Sequence, residues 1–368
     1  MELKTLLDKM VKDNASDLHL KSGVPPVYRI DGRLAIEKGE SLTPENLKTM
    51  AYQIMTPSQQ QSFERMKEID FAIGVRGIGR FRVNVFLQRS SIAIAFRSIP
   101  IVAKRIDDLN LPLVLKELAL RPRGLILCTG TTGSGKSTTL AAMIEHINEN
   151  TSRHIITIED PIEYLFRDNL SIICQREVLM DTVSFSTALR HIMRQDPDVI
   201  LIGEIRDRET MDVALKAADT GHLVLSTLHT LNATETINRI ISFYPPHQHQ
   251  HIRVLLATTL AGVISQRLLP RTDGKGRIPA VEVLISTATI KEYLLDPIKT
   301  LLIQSVIEEG FAQYSMQTFD QSIFKLHKDG LITYEDAIQA VTNPDEFRLR
   351  LRGIEATAER GWSQFDKK

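Results

Sequence analysis

The chain has 368 residues, 43% hydrophobic and 24% charged, with 45 Lys plus Arg against 45 Asp plus Glu and so no formal net charge. Such a composition can bury more than one core, which excludes a single small module and a largely disordered chain. The charge balance excludes a global basic field, and two isolated cysteines, Cys128 and Cys174, exclude a disulfide framework or a cysteine zinc site.

The first residues lack the apolar core of a signal peptide, and no apolar run reaches the ~18 residues of a spanning helix. The expectation is a protein of the reducing cytosol, with no direct membrane insertion and no nucleic-acid partner. Amphipathic stretches over 2–13 and 44–67 flank strand-like runs at 27–30, 34–36, 70–75, 81–88 and 92–99. Asp31-Gly32 and Gly77-Ile78-Gly79 supply turns between them. This predicts a small antiparallel sheet with helices on one side, an α+β domain over 1–99. Pro100, Pro112 and Pro122 then punctuate the chain, and 100–112 reads as a linker.

From 113 to 368 the texture changes. Short, continuously apolar runs at 124–128, 154–158, 199–202 and 223–226 alternate with helical stretches, the βα rhythm of a doubly wound α/β core. Beyond about 290 the segments read as helices, with Thr318–Gln321 and Thr333–Asp336 as capping boxes and Gly330 as a stop.

The chemistry starts at Gly130-Thr131-Thr132-Gly133-Ser134-Gly135-Lys136-Ser137-Thr138, which fits G-x-x-x-x-G-K-[ST] between an apolar strand and an amphipathic helix. Glycines let backbone N–H groups curl round phosphate oxygens, Lys136 neutralises the outer phosphates, and the Ser137 hydroxyl ligates Mg²⁺. A P-loop needs a second magnesium anchor, and the run Asp198–Glu204 offers an apolar strand ending in the acid Glu204, with Asp198 at its start. Glu159, Asp160 and Glu163 cluster round Pro161 after another strand, where one could serve as general base, one could orient a water and one could merely cap the next segment. His222 and His229 bracket a further strand, and His229 falls at its end, where α/β sheets place ligand contacts.

Four such boxes in this order resemble the secretion ATPase superfamily, and most closely the type IV pilus retraction motors PilT and PilU. Ser16-Asp17-Leu18-His19-Leu20, Gly23-Val24-Pro25-Pro26, Ile30-Asp31-Gly32 and Arg76–Val83 carry the resemblance into the N-terminal part. It implies a PAS-like N-terminal domain, a RecA-like motor domain with a helical C-terminal extension, a homohexamer, and Mg-dependent ATP hydrolysis. It makes Glu163 the catalytic glutamate and Glu204 the magnesium-supporting one, and it assigns His222 and His229 to a box that reads the γ-phosphate. Arginines from a neighbouring subunit complete such sites, and Arg82 and Arg97 match best, with Arg80 and Arg194 behind them. The partners implied are an inner-membrane pilus platform protein and a paralogous retraction ATPase. The basic Ala-Ile-Arg-Asn-Leu-Ile-Arg-Glu stretch of the primary motors is absent, and 288–297 stands in its place. The resemblance therefore leaves open a primary motor, an accessory subunit of weak turnover, and an extension or type II secretion ATPase.

Overall fold

The computed structural model describes residues 2–30, 32–99 and 103–352. Two compact units divide the chain: the first holds the described residues up to 99 together with Glu163–Leu165, and the second holds the rest from Ala103 onward. Residues 100–102 of the expected linker, and the tail from 353 with Trp362, lie outside the described residues. Residues 103–112 fall in the second unit, with Ile106 and Leu111 buried in its core.

The first unit runs α1 (Leu3–Lys12), β1 (Asp17–Leu20), β2 (Val27–Ile30), β3 (Arg33–Ile36), α2 (Pro44–Ile54), α3 (Pro57–Met66), β4 (Glu68–Val75), β5 (Gly79–Gln88) and β6 (Ser91–Ile99). Its strands form one antiparallel sheet in the order β3-β2-β1-β6-β5-β4. Alternation sorts the faces: Leu18, Phe81, Val83 and Phe96 point into the core, while Arg82 and Arg97 between them are exposed. The expected helix over 44–67 is two helices, each started by a threonine capping box with proline in its first turn, Thr43-Pro44 and Thr56-Pro57.

The second unit contains α4 (Val114–Ala119), β7 (Gly124–Thr129), α5 (Lys136–Asn150), β8 (His154–Glu159), β9 (Ile172–Glu177), α6 (Phe185–Ile192), β10 (Val199–Ile202), α7 (Arg208–Asp219), β11 (Leu223–Leu228), α8 (Ala233–Ser242) and α9 (His249–Thr259). A long pair, β12 (Leu260–Pro270) and β13 (Arg277–Ile285), follows, and then α10 (Ala288–Leu295), α11 (Ile303–Glu309), α12 (Phe311–Tyr314), α13 (Phe319–Lys328), α14 (Tyr334–Ala340) and α15 (Pro344–Leu351). The sheet order is β13-β12-β7-β11-β10-β8-β9, parallel except for the β12–β13 edge. β7, β10 and β11 are buried at every position, as strands covered on both faces must be. Parallel strands put all their C-terminal ends on one edge, and that edge carries Gly130, Glu204 and His229. The last helices bury Phe319, Ile323, Phe324 and Phe347 in a small core of their own. No helix among the described residues is long and apolar enough to cross a membrane.

Candidate active site

β7 delivers the chain into the P-loop. Gly130 has φ +141, and a Cβ there would lie 2.4 Å from the Gln266 carbonyl oxygen and 2.6 Å from Ser134 Oγ, so only glycine closes this turn. Gly135 caps α5 with no side chain, which leaves the first N–H groups of a 15-residue helix for a ligand. Lys136 is buried, and its ammonium donates to the carbonyls of Gly130 at 2.8 Å and Thr131 at 2.9 Å. Burial pushes its pKa down, with Cys128 and then the Glu204 carboxylate opposing the shift. Ser134 Oγ is buried with no hydrogen-bond partner among the described residues, while Thr131, Thr132, Gly133 and Ser137 are exposed. Beside Thr138 a cleft of about 620 Å³ opens, lined among others by Asn110, Gln266, Leu268 and Pro279.

Glu204 is clamped between neighbouring strands. The Gly203 N–H donates to the Ile158 carbonyl at 2.8 Å and the Ile205 N–H to the Thr227 carbonyl at 3.1 Å. Its carboxylate meets His229 Nε2 at 3.1 Å and Arg206 at 2.9 Å. Burial raises the Glu204 pKa, but Arg206 and His229 more than offset it and hold the carboxyl below the ordinary glutamate value. Asp198 stands just before β10, and its carboxylate accepts the His154 N–H at 2.8 Å.

His222 stands apart from His229. It precedes β11 beside Gly124, at the other end of the strand from His229. Seven steps at about 3.3 Å put the two histidines roughly 23 Å apart. Its Nδ1 meets the Ala217 carbonyl at 2.9 Å, so within the second unit it secures the turn after α7 and is not brought to the P-loop. The acid cluster also separates. Glu159 is buried and accepts from Thr157 at 2.7 Å and Gln175 at 3.2 Å; Asp160 is exposed; Glu163 is exposed beyond Pro161 and belongs to the first unit. Arg82 and Arg97, also of that unit, face each other across β5 and β6. Like charges so placed repel, and Asp17 offsets this by accepting from Arg97 Nε at 2.9 Å.

Residues 2–294 match the family model described as "Type II/IV secretion system protein". The chain belongs to that family. It is 43% identical over 98% of its length to the type IV pilus ATPase PilU of Pseudomonas aeruginosa, covering 94% of that protein. It is 42% identical to the type IV pilus retraction ATPase PilT of the same organism, over 94% of this chain and all of the relative. A crystal structure of the pilus retraction motor PilT with bound ADP aligns with a TM-score of 0.85 and 47% identity, covering 94% of this chain and 98% of the other.

For a member of this family, the donor chemistry bears on the cation. Among the described residues no group of three or more His, Cys, Asp or Glu could hold a metal. Ser137 and Glu204 are hard oxygen donors, fewer than a protein cage needs, and they suit Mg²⁺, which keeps waters and takes phosphate oxygens from its ligand. Sequence reading missed Arg206 and Gln266. Arg206 was findable: in extended chain, residues two apart share a side, and it stands two after Glu204. Gln266 gave no signal, because β12 was not foreseen.

Proposed function

We propose that this protein is a Mg-dependent ATPase of the type IV pilus retraction kind, a cytoplasmic homohexameric motor acting at the inner membrane on a pilus platform protein. The first unit is read as the PAS-like domain and the second, from Ala103 onward, as the RecA-like motor with its C-terminal helices. The observation that carries the reading is the Glu204–His229 contact of 3.1 Å on the strand edge that bears the P-loop. An acid and a sensor are then poised where an outer phosphate would sit.

In this reading, the backbone N–H groups of 130–135 and the side chains of Ser134, Ser137 and Thr138 bind the phosphates. Lys136 exchanges its two loop carbonyls for phosphate oxygens. Ser137 and Glu204 would hold Mg²⁺, the latter through water, and the ion supplies charge neutralisation on the phosphates. Glu163 takes the proton of the attacking water. His229 registers loss of the γ-phosphate through Glu204. Arg82 and Arg97 of a neighbouring copy steady the charge that develops on the transferred group, because a guanidinium stays charged and grips oxygens in pairs. The decisive experiment is steady-state ATPase activity of the purified hexamer beside Glu163→Gln, with nucleotide affinity measured in parallel. A fall of about 100-fold in turnover with binding retained is expected of a lost general base. Binding without turnover in the wild type would overturn the motor reading.

One observation favours the accessory form. Where a basic stretch is expected of primary motors, 288–297, Leu295 is exposed, and so are Ile298, Leu301 and Leu302 just beyond it. A hexamer that turns over slowly by itself and faster beside a paralogous ATPase would establish it.

A further inference from the structure

Two strands across from the one that leads into the P-loop lies a carboxylate that none of these roles uses. Glu282, in the middle of β13, has no exposed surface, and burial pushes its carboxyl above the ordinary glutamate value. A buried carboxylate is costly unless its oxygens are satisfied, and these are. One oxygen accepts the backbone N–H of Ala233 at 2.8 Å, the other accepts the Gln304 amide at 3.0 Å, and the Ser265 hydroxyl also donates to the group. Ser265 is the cross-strand partner of Glu282 and in turn accepts from Thr129 Oγ1 at 3.0 Å. Thr129 is the last residue of β7 before Gly130, and Ala233 is the first residue of α8, four after His229. The intervening turn is tied down as well: the Thr230 and Thr236 hydroxyls meet at 2.7 Å, and the Leu231 N–H donates to Glu235 at 3.0 Å. One buried acid therefore joins the strand that leads into the P-loop to the turn that carries His229.

We propose that Glu282 is a positioning residue for phosphate sensing: by holding the start of α8 to the P-loop strand through Ser265 and Thr129, it sets where His229 stands against Glu204. The proposal rests on the ATPase reading above. Its rival is that Glu282 serves only the stability of the fold. Glutamine at 282 keeps one acceptor for Ala233 but turns an NH₂ toward the donors of Ser265 and Gln304, so the link loosens without a change of volume.

The test is a double-mutant cycle in the full-length protein. Glu282→Gln and Gln304→Met are made alone and with His229→Ala, and kcat, KM and ADP affinity are measured. Gln304 lies in an exposed position, so its variant remains informative if Glu282→Gln does not fold. The expected result is a kcat lowered roughly 10-fold by Glu282→Gln and a few-fold by Gln304→Met, with ADP affinity changed less than about 2-fold and the losses absent in the His229→Ala background. Unchanged kcat, an equal loss with and without His229, or a loss confined to ADP affinity would each overturn it. If the wild type does not turn over ATP, the ATPase reading has failed, and amide exchange then decides. Faster exchange confined to 230–235 in the variants upholds Glu282 as the tie, and exchange that is unchanged, or raised equally in α5, overturns it.

Discussion

Lys136 shows how a side chain can be prepared for a ligand by its own backbone. Its ammonium is largely withdrawn from water and spends its hydrogen bonds on two carbonyls of the loop it must later vacate. Hydrogen bonds to charged groups are worth about 1.5–3 kcal/mol, so Lys136→Ala is expected to weaken ADP binding by roughly 10- to 100-fold, read by calorimetry. An affinity within a factor of about two of wild type would remove Lys136 from the phosphate site. Asp17 makes the parallel point in the first unit. Burial pushes its carboxyl up, but the Ser16 hydroxyl and the Arg97 guanidinium bring it below the ordinary aspartate value. A depressed carboxylate contributes stability that is complete above its unfolded pKa, near 4, and is lost as pH falls through the folded one. Arg97 is 70% exposed, so the pair is worth at most about 1 kcal/mol. Amide exchange in β1 should therefore be faster in Arg97→Gln than in wild type at pH 7, and the two should converge as acid protonates Asp17, below the ordinary aspartate range. A difference that persists undiminished into acid would mean that Arg97 steadies the sheet by packing and not by charge.

At the scale of elements, both caps written in the sequence start helices, the first as a full box and the second as half of one. Thr318 accepts from the Gln321 N–H and Gln321 returns the bond to the Thr318 N–H at 2.9 Å, a complete box starting α13. Thr333 accepts from the Asp336 N–H and starts α14. Thr318→Ala should cost about 1 kcal/mol, seen as faster amide exchange through α13 with α5 unchanged; a uniform change in both would place the cap's effect elsewhere. Strands bounded by turns and covered on both faces were equally legible, because continuous apolar runs between breakers have few other readings. Those left out share a physical reason. β1 has four residues, one of them the acid Asp17, and β9 is an edge strand whose partly wet positions blur the pattern. β12 follows α9 without a breaker, and β13 carries Pro279 and Glu282, residues that argue against a strand. Missing that pair hid Gln266, which accepts from Thr139 of α5 at 2.7 Å, and with it the wall behind the P-loop. The strand's own length separates His222 from His229, as their bracketing of it in the sequence implies.

For the whole molecule, the division into units sets the question of how many chains make one site. The P-loop, Glu204 and His229 lie in the second unit, whereas Arg82, Arg97 and Glu163 are counted with the first. If the arginines act on the nucleotide of a neighbouring copy, as proposed, two defective proteins can repair each other. A subunit with Lys136→Ala still offers its arginines, and a subunit with Arg97→Ala still offers an intact P-loop. In rings assembled from equal amounts of both, about one junction in four joins an intact P-loop to an intact arginine, because the two kinds of subunit alternate at random round a closed ring. Co-expression with two different tags and tandem purification isolates such mixed rings. Their ATPase activity should rise well above that of either parent, toward roughly a quarter of wild type if junctions act independently. A site contained in one chain gives a different result, since no subunit in the mixture carries both residues and the mixed rings would stay as inactive as their parents.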